Sequence, residues 1–566
     1  MFLKITRSGP RRYLQLVEAF RNEAGKARHR TLVTLGRLDQ LDGQLDSVIS
    51  GLLKATGRAD VLNAPVPAIE FESARALGDV WTLNELWKSL GFDGLRRVFG
   101  KTRHAIDVEA LLRVMVFNRL CDPESKLGVL RWLETVAMPG MDTATITHQH
   151  LLRAMDALED HQGEVDAVVA GLLRPLIDQD LSVVFYDMTT IRTEGATILQ
   201  DELRQYGMAK EGLIARQVML GVVQTADGLP IHHEVFAGNT AETPTLLPTL
   251  ETVLGKFPSI KRVVLVADRG LLSLDNLDAL SAVRLKSGAP LEFVLAVPGR
   301  RYGEFAEVLG DFQRDHCAKA KKEITGELVW QDRRLIVAHD PERARETGTL
   351  RRERLATLET QAAAWSGKLD AQDNGARARG RKLSDSGTKA RFYHAVKEAR
   401  LAHIVKVDLK GDLFAWHIDP DALALAELMD GKLLLVTNVK DLKPVDVVAR
   451  YKSLADIERG FRILKSEIEI GPVFHRLPTR IRAHASLCFM ALILYRVMRQ
   501  RLKASRSELS PERALDELRK LQQHQIHLQP AGRSVAGISR LSDLQERVFA
   551  ALDLKKPTPP RQKALL

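Results

Sequence analysis

The chain opens on two short runs in which apolar and polar residues alternate, Phe2-Leu-Lys-Ile-Thr and Tyr13-Leu-Gln-Leu-Val. Ser8-Gly9-Pro10 lies between them, so the pattern predicts a β-hairpin. Asp39 to Lys54 has helical spacing. From about 72 to 176 apolar positions recur every three to four residues, and a mainly helical region is expected. Its clearest member starts at Val108, with Asp107 as N-cap, and Asp122-Pro123 stops it.

The period changes at about residue 181. Leu181 to Thr190, Gln217 to Gln224, and Leu229 to Phe236 read as three strands. Helical spacing follows in Glu242 to Phe257. Arg262-Val-Val-Leu-Val-Ala-Asp is a fourth strand. A helix near Ser273 to Val283 leads to a fifth, Leu291 to Val297. The order β-β-β-α-β-α-β predicts a mixed sheet with helices packed on it.

Residues 301–430 interrupt that order. They hold strand-like runs at Glu327-Leu-Val-Trp and Arg334-Leu-Ile-Val, and a long charged helix near Pro341 to Leu369. A basic stretch through Arg377, Arg379, Arg381 and Lys382 follows, then two further strands. The expectation is a separate β-rich insertion. The earlier pattern resumes with a strand at Lys432 to Asn438, a helix over Val445 to Ile468, and another over Arg480 to Leu502. The end reads as polar helix and a Pro-rich tail. The expected division is 1–70, a β-hairpin and helix; 71–178, helical and a candidate DNA-end-binding region; 179–300, the first part of an α/β core; 301–430, the insertion; 431–505, the second part of the core; and 506–566, a helical end.

Length supports several domains, since 566 residues exceed what one hydrophobic core serves. Lys and Arg outnumber Asp and Glu by 83 to 72, a net charge of +11, which favours a polyanionic partner. Three scattered cysteines, Cys121, Cys317 and Cys488, exclude a disulfide framework and a cysteine-only zinc site. The apolar run around Ala485 to Val497 is shorter than a membrane span, and the basic start lacks the apolar segment of a signal peptide. A soluble, cytoplasmic protein is expected.

Three carboxylates stand in awkward places. Asp187 follows Val183-Val-Phe-Tyr inside a strand, and Asp268 ends Val263-Val-Leu-Val-Ala. A carboxylate in apolar surroundings is costly unless paired or bound to a cation. Glu458 lies in a helical stretch whose apolar stripe is Leu454, Ile457, Phe461, Leu464 and Ile468. Tyr451, Glu458 and Lys465 recur at the same heptad phase, which predicts one line along the shoulder of that stripe. Each acid has a plainer reading: a turn cap with Thr189 and Thr190 for Asp187, an ion pair with Arg269 for Asp268, and a pair with Arg462 for Glu458. Converging, the three would suit hard divalent cations, Mg²⁺ or Mn²⁺, which take oxygen ligands. His232, His233 and His475 lack ligand spacing and are expected to be structural. Trp330 and Trp416 are candidates for stacking on a base if exposed.

These residues resemble a family. Tyr451, Glu458 and Lys465 fit the signature Tyr-x2-Arg-x3-Glu-x6-Lys of the insertion-sequence-four group of bacterial DDE transposases. Phe185-Tyr-Asp187-Met-Thr-Thr is similar to that group's first acidic motif, and Val266-Ala-Asp268-Arg-Gly-Leu-Leu-Ser to its second. The resemblance covers roughly 180–300 and 430–500. It implies an RNase H-like core interrupted by a β-strand insertion, and transposition of DNA by a dimer. Asp187, Asp268 and Glu458 would be catalytic and hold about two Mg²⁺ or Mn²⁺ ions. Tyr451 and Lys465 would contact DNA phosphates at transposon ends and target. The signature arginine is Leu454 here, and Arg462 or Arg459 is the candidate replacement. The alternatives are a DNA-binding protein derived from a transposase that has lost catalysis, and a metal-dependent nuclease on the same core.

Overall fold

The computed structural model describes the chain except residues 24, 42–43, 58–67, 101–106, 178–181, 196–202, 209–213, 268–273, 286, 332, 376–381, 530–532 and 559–566. It also leaves undescribed the side chains at 45, 68–69, 182, 243, 274–276, 300, 318, 456–458, 528–529 and 533. Two compact units are present: residues 1–74 with 524–537 and 560–566, and residues 75–523 with 538–559.

In the first unit, β1 (Phe2–Ser8), β2 (Arg11–Arg21) and β3 (Ala27–Arg37) form an antiparallel sheet. The expected hairpin is β1–β2, and Ser8 pairs with Arg11 across the turn at Gly9, whose φ of +60 suits glycine. The third strand was not predicted, because its polar run Ala27-Arg-His-Arg has no alternation to betray it. Helices α1 (Leu38–Leu41) and α2 (Leu45–Ala55) follow, then β4 (Ala68–Ala76).

The second unit begins with helices α3 (Gly78–Leu90), α4 (Arg96–Phe99), α5 (Val108–Cys121), α6 (Lys126–Thr135), α7 (His148–Asp160) and α8 (Gln162–Leu173). Asp107 caps α5 by accepting from the Ala110 N–H. Strands β5 (Ser182–Arg192), β6 (Gln205–Met208), β7 (Ile214–Thr225) and β8 (Pro230–Ala237) come next. Then follow α9 (Leu246–Lys256), β9 (Val263–Ala267), α10 (Leu274–Ala282), β10 (Glu292–Ala296) and α11 (Ala306–Asp315). The chain continues through β11 (Ile324–Trp330), β12 (Arg333–His339), α12 (Pro341–Asp373), α13 (Asp385–Glu398), β13 (Val405–Val407), β14 (Trp416–Ile418) and α14 (Pro420–Met429). It returns with β15 (Lys432–Thr437), α15 (Pro444–Lys452), α16 (Ala455–Ser466), α17 (Pro478–Ala504) and α18 (Pro511–Arg519). Most of β16 (Gln522–Gln529) and β17 (Arg533–Ile538) belongs to the first unit, and α19 (Asp543–Leu552) to the second.

The mixed sheet expected from the strand–helix order is present, with strand order β11-β12-β15-β10-β9-β5-β7-β6 and β8 paired to β7. Strands β5, β9 and β10 run parallel at its centre, and the other pairings are antiparallel. Parallel strands must be covered on both faces, which explains why Val263 to Ala267 is buried without alternation. Helix α17 packs on α5, α7 and β8. By length and apolarity it reaches what a membrane span needs, contrary to the shorter run expected, yet 94% of its most apolar stretch is buried inside the protein.

Three other expectations are corrected. First, β11 and β12 join the main sheet rather than a separate insertion: β12 pairs with β15 along its whole length. The rest of that segment is mainly helical, with its own core around Leu358, Phe392 and Ile404 and only the short β13–β14 pair. Second, the end of the chain is not all helix. Gln522-Gln-His-Gln-Ile-His-Leu-Gln is polar enough to lack a visible strand signal, but β16 lies between β4 and β17. Third, the helix expected over Val445 to Ile468 is two helices. The Leu454 N–H donates to the Tyr451 carbonyl at 3.0 Å, a tightened turn, and the Ser453 hydroxyl donates to the Arg450 carbonyl at 2.6 Å.

Candidate active site

From Val183 to Ile191 every residue of β5 is buried except Asp187, which is half-buried. Burial on both sheet faces suits the apolar members of the run, and Tyr186 satisfies its hydroxyl with Thr245 Oγ1 at 2.6 Å. Burial pushes the Tyr186 phenol up to about 12, so it stays neutral and structural. Asp187 continues the strand opposite Val222 and is not a turn cap; Thr189 and Thr190 are strand residues with it. Its Oδ1 accepts from the Met188 N–H at 2.7 Å.

The parallel neighbour of β5 is β9, and their register ends with Tyr186 opposite Ala267. Asp268 is next in sequence after Ala267 and lies outside the described residues, as does Arg269. Glu458 lies on α16, but its side chain, like that of Ile457, is outside the described set. Helix α16 packs on β5. The expected apolar stripe is seen where it is described: Leu454, Phe461, Leu464 and Ile468 are all buried. Among the described residues no group of three His, Cys, Asp or Glu side chains is assembled for a metal.

Gly460 explains how closely α16 approaches. A Cβ there would meet Gln224 Nε2 at 2.5 Å and Arg496 Nη2 at 3.0 Å. Gln224 is opposite Phe185 on β5, two residues before Asp187. Its amide is fully buried with no hydrogen-bond partner among the described residues. Sequence reasoning missed this junction. The available signals were a glycine in mid-helix, which costs about 1 kcal/mol relative to alanine, and one arginine inside the apolar run of α17. Arg496 is 2% exposed.

The expected line of Tyr451, Glu458 and Lys465 is broken by the turn at Ser453–Leu454. Tyr451 belongs to α15 and faces a cavity shared with Tyr302, Arg343 and Lys432. Lys465 remains on α16 and lines a cavity of about 450 Å³ with Thr190, Arg192 and Pro472. Those two cavities share no lining residue. Arg462 is exposed and Arg459 half-buried.

The histidines are structural in their surroundings. His233 stacks on Phe489 at 4.3 Å and burial holds it down to about 3. Burial also lowers His232, whose Nδ1 accepts from Lys256 at 3.0 Å. His475 is held to about 4 by burial and then by nearby cations, Lys126 foremost. Neither tryptophan is a free stacking platform. Trp330 is buried against Phe305 at 4.7 Å, and Trp416 packs on Phe392 at 5.4 Å. Of the basic stretch, Arg377, Arg379 and Arg381 lie outside the described residues, and Lys382 is exposed.

Comparison with known proteins adds the following. No curated protein matches the chain. Among solved structures it is similar to a piggyBac transposase synaptic complex with hairpin DNA, at 8% identity over 78% of this chain and 77% of that one, with a TM-score of 0.37. Residues 3–65 match the N-terminal domain of IS1634 family transposases. Residues 178–494, more than half of the chain, match the transposase DDE domain. That span takes in β5 with Asp187, the end of β9, and α16, and on it the chain belongs to the DDE transposases: it is a DNA transposase of the insertion-sequence kind.

Proposed function

We propose that the chain is a transposase of the insertion-sequence-four group, with an RNase H-like core. It cuts phosphodiesters at the ends of its element and joins them to target DNA. The observation that carries the reading is the centre of the sheet. Asp187 is the one residue of its buried run that reaches solvent, beside the strand end that Asp268 follows in sequence, with α16 packed on the same strand. Asp187, Asp268 and Glu458 are the metal ligands. An all-carboxylate set fits hard cations, Mg²⁺ or Mn²⁺. A pair of such ions, when bound, lowers the pKa of a water and stabilises the leaving oxygen.

The chain's own residues orient the DNA. Lys465 holds a phosphate, Arg462 stands in for the signature arginine lost at Leu454, and Tyr451 contributes from the neighbouring helix. Each cut frees a 3′-hydroxyl, which is the nucleophile of the joining step, so no covalent link to protein forms. Two copies act together on paired ends. The helical region 71–178 belongs to the same proposal, as the reader of the ends.

The test incubates the protein with labelled DNA carrying the element's ends and Mg²⁺. Nicks plus joined products are expected. Binding without cleavage would favour a derived DNA-binding protein, and nicks without joining a nuclease.

A further inference from the structure

At the far end of β5 the sheet meets a second polar site, opposite in charge to Asp187. The Val473 N–H donates to the Arg192 carbonyl, and the Glu194 N–H donates to the Val473 carbonyl, both at 2.9 Å. The loop 469–477 thereby extends β5 and forms one wall of a cavity of about 640 Å³. The opposite wall is the start of α6. Its volume is within the range that holds small ligands or parts of larger ones, about 300–1,000 Å³.

Lys126 lines the cavity, 7% exposed, and among the described residues its ammonium has no carboxylate or other hydrogen-bond partner. An ammonium buried unpaired is costly. Burial, then the Arg119 charge, brings Lys126 down to about 7. Lys126 is also the first residue of a ten-residue helix, whose opening amides no intrahelical carbonyl can accept from. Ser125 caps only the Gly128 N–H. Arg119 lies beneath, its Nη1 donating to the Glu469 carbonyl at 3.3 Å and its Nη2 to the Glu124 carbonyl.

The other charges around Lys126 nearly balance, so the excess is that of its own ammonium. Arg480 is engaged by Asp156 at 2.7 and 2.8 Å, while Arg476 at the mouth is exposed. Two carboxylates line the cavity, Glu124 and Glu469, and Glu124 lies 4.0 Å from Arg131. His148 faces in from α7. His484, fully enclosed, donates Nε2–H to the Ile470 carbonyl at 3.0 Å; its Nδ1 has no partner among the described residues, and burial holds it far below its ordinary value.

We propose that this cavity seats a phosphodiester of the DNA substrate, held by the Lys126 ammonium and the first amides of α6. The idea rests on the transposase reading and adds to it a place on the DNA. Arg192 is five residues along the strand from Asp187, roughly 17 Å at about 3.4 Å per residue. The cavity lies beyond that strand end, so the phosphate seated there is not the one cleaved.

The experiment titrates a fluorescent duplex with full-length protein at increasing salt. Wild type is expected to weaken steeply. Lys126→Met and Lys126→Gln should each flatten the slope of log affinity against log salt by about 0.9, the loss of one phosphate contact. On the unaltered chain, affinity should also fall between pH 7 and 9 as Lys126 loses its proton, a trend both variants should lack. That profile keeps the test open if a variant does not fold. Unchanged slopes with a flat pH profile overturn the seat; the transposase reading survives if Asp187→Ala still binds DNA without cutting it. No salt-dependent binding by wild type overturns both. Should inorganic phosphate raise the melting temperature of wild type but not of Lys126→Met, with DNA slopes unchanged, the cavity takes a free anion and the proposal falls.

Discussion

Asp187 and Lys126 both set a charge among apolar neighbours, at the middle and beyond the end of one strand system. Asp187 interrupts a buried strand and reaches solvent at half exposure. Lys126 opens a helix and is almost wholly enclosed. The first arrangement sets a half-exposed carboxylate at the sheet centre, the place proposed for a hydrated cation. The second sets an enclosed ammonium at a helix start, the place proposed for an anion. A DNA-cutting enzyme needs both: metals at the phosphate that reacts, and direct cationic contacts where phosphates only have to be held.

The largest expected effect tests the acidic half. Asp187→Ala and Glu458→Ala should each reduce end cleavage to background while DNA binding persists, read by gel assay of labelled ends. Cleavage that survives in both variants would remove the acidic site from the comparison.

Gly460→Ala tests what holds α16 at β5. Helix propensity alone would favour alanine by about 1 kcal/mol, but the new methyl group would collide with Gln224 and Arg496. A net loss of about 1–3 kcal/mol in denaturant unfolding is expected. A stabilised variant would mean that the helix is not clamped there.

The basic half has a pH signature without DNA. Lys126 is lowered to about 7 in the folded chain, against 10.5 for an ordinary lysine. Between those values the unfolded chain binds more protons than the folded one, so this group's contribution to stability rises with pH, and the penalty is fully present below pH 7. Relative to Lys126→Met, wild type should gain about 1 kcal/mol per pH unit between pH 7.5 and 9.5 in urea melts. Parallel stability curves would show that Lys126 is not buried as a cation.

The smallest effect concerns the DNA contacts on the two short helices. Lys465→Ala should weaken DNA binding by about tenfold, about 1.4 kcal/mol, and Tyr451→Phe by less, because the turn at Ser453–Leu454 gives Tyr451 a different cavity. Equal losses in an equilibrium titration would mean that DNA spans both cavities.

Patterns within a few residues were legible in the chain. The hairpin β1–β2, the N-cap Asp107, the strands β5, β7, β8, β9 and β10 and the stripe around α16 all come from local periodicity, whereas the short strand β6 was not expected. Asp187 was legible for the same reason, as an acid in an apolar run. The break in the signature helix was not, since Ser453 and Leu454 are ordinary helix residues and only side-chain and tight-turn bonding separates α15 from α16. Nor was the joining of β12 to β15, whose strands lie on either side of a long helical excursion. The cavity under Lys126 was equally hidden: its walls come from α6 and the loop before α17, far apart in sequence.

The amino-acid sequence by itself determined which segments are strands and helices over most of the core, and which acids are out of place, because period and local polarity act through neighbouring residues. Tertiary structure alone decided that Gly460 meets Gln224 and Arg496, that Tyr451 and Lys465 part company, and that a lysine at a helix start becomes an enclosed cation. Those outcomes depend on which distant surfaces exclude water from one another, and burial of that kind has no counterpart in local spacing.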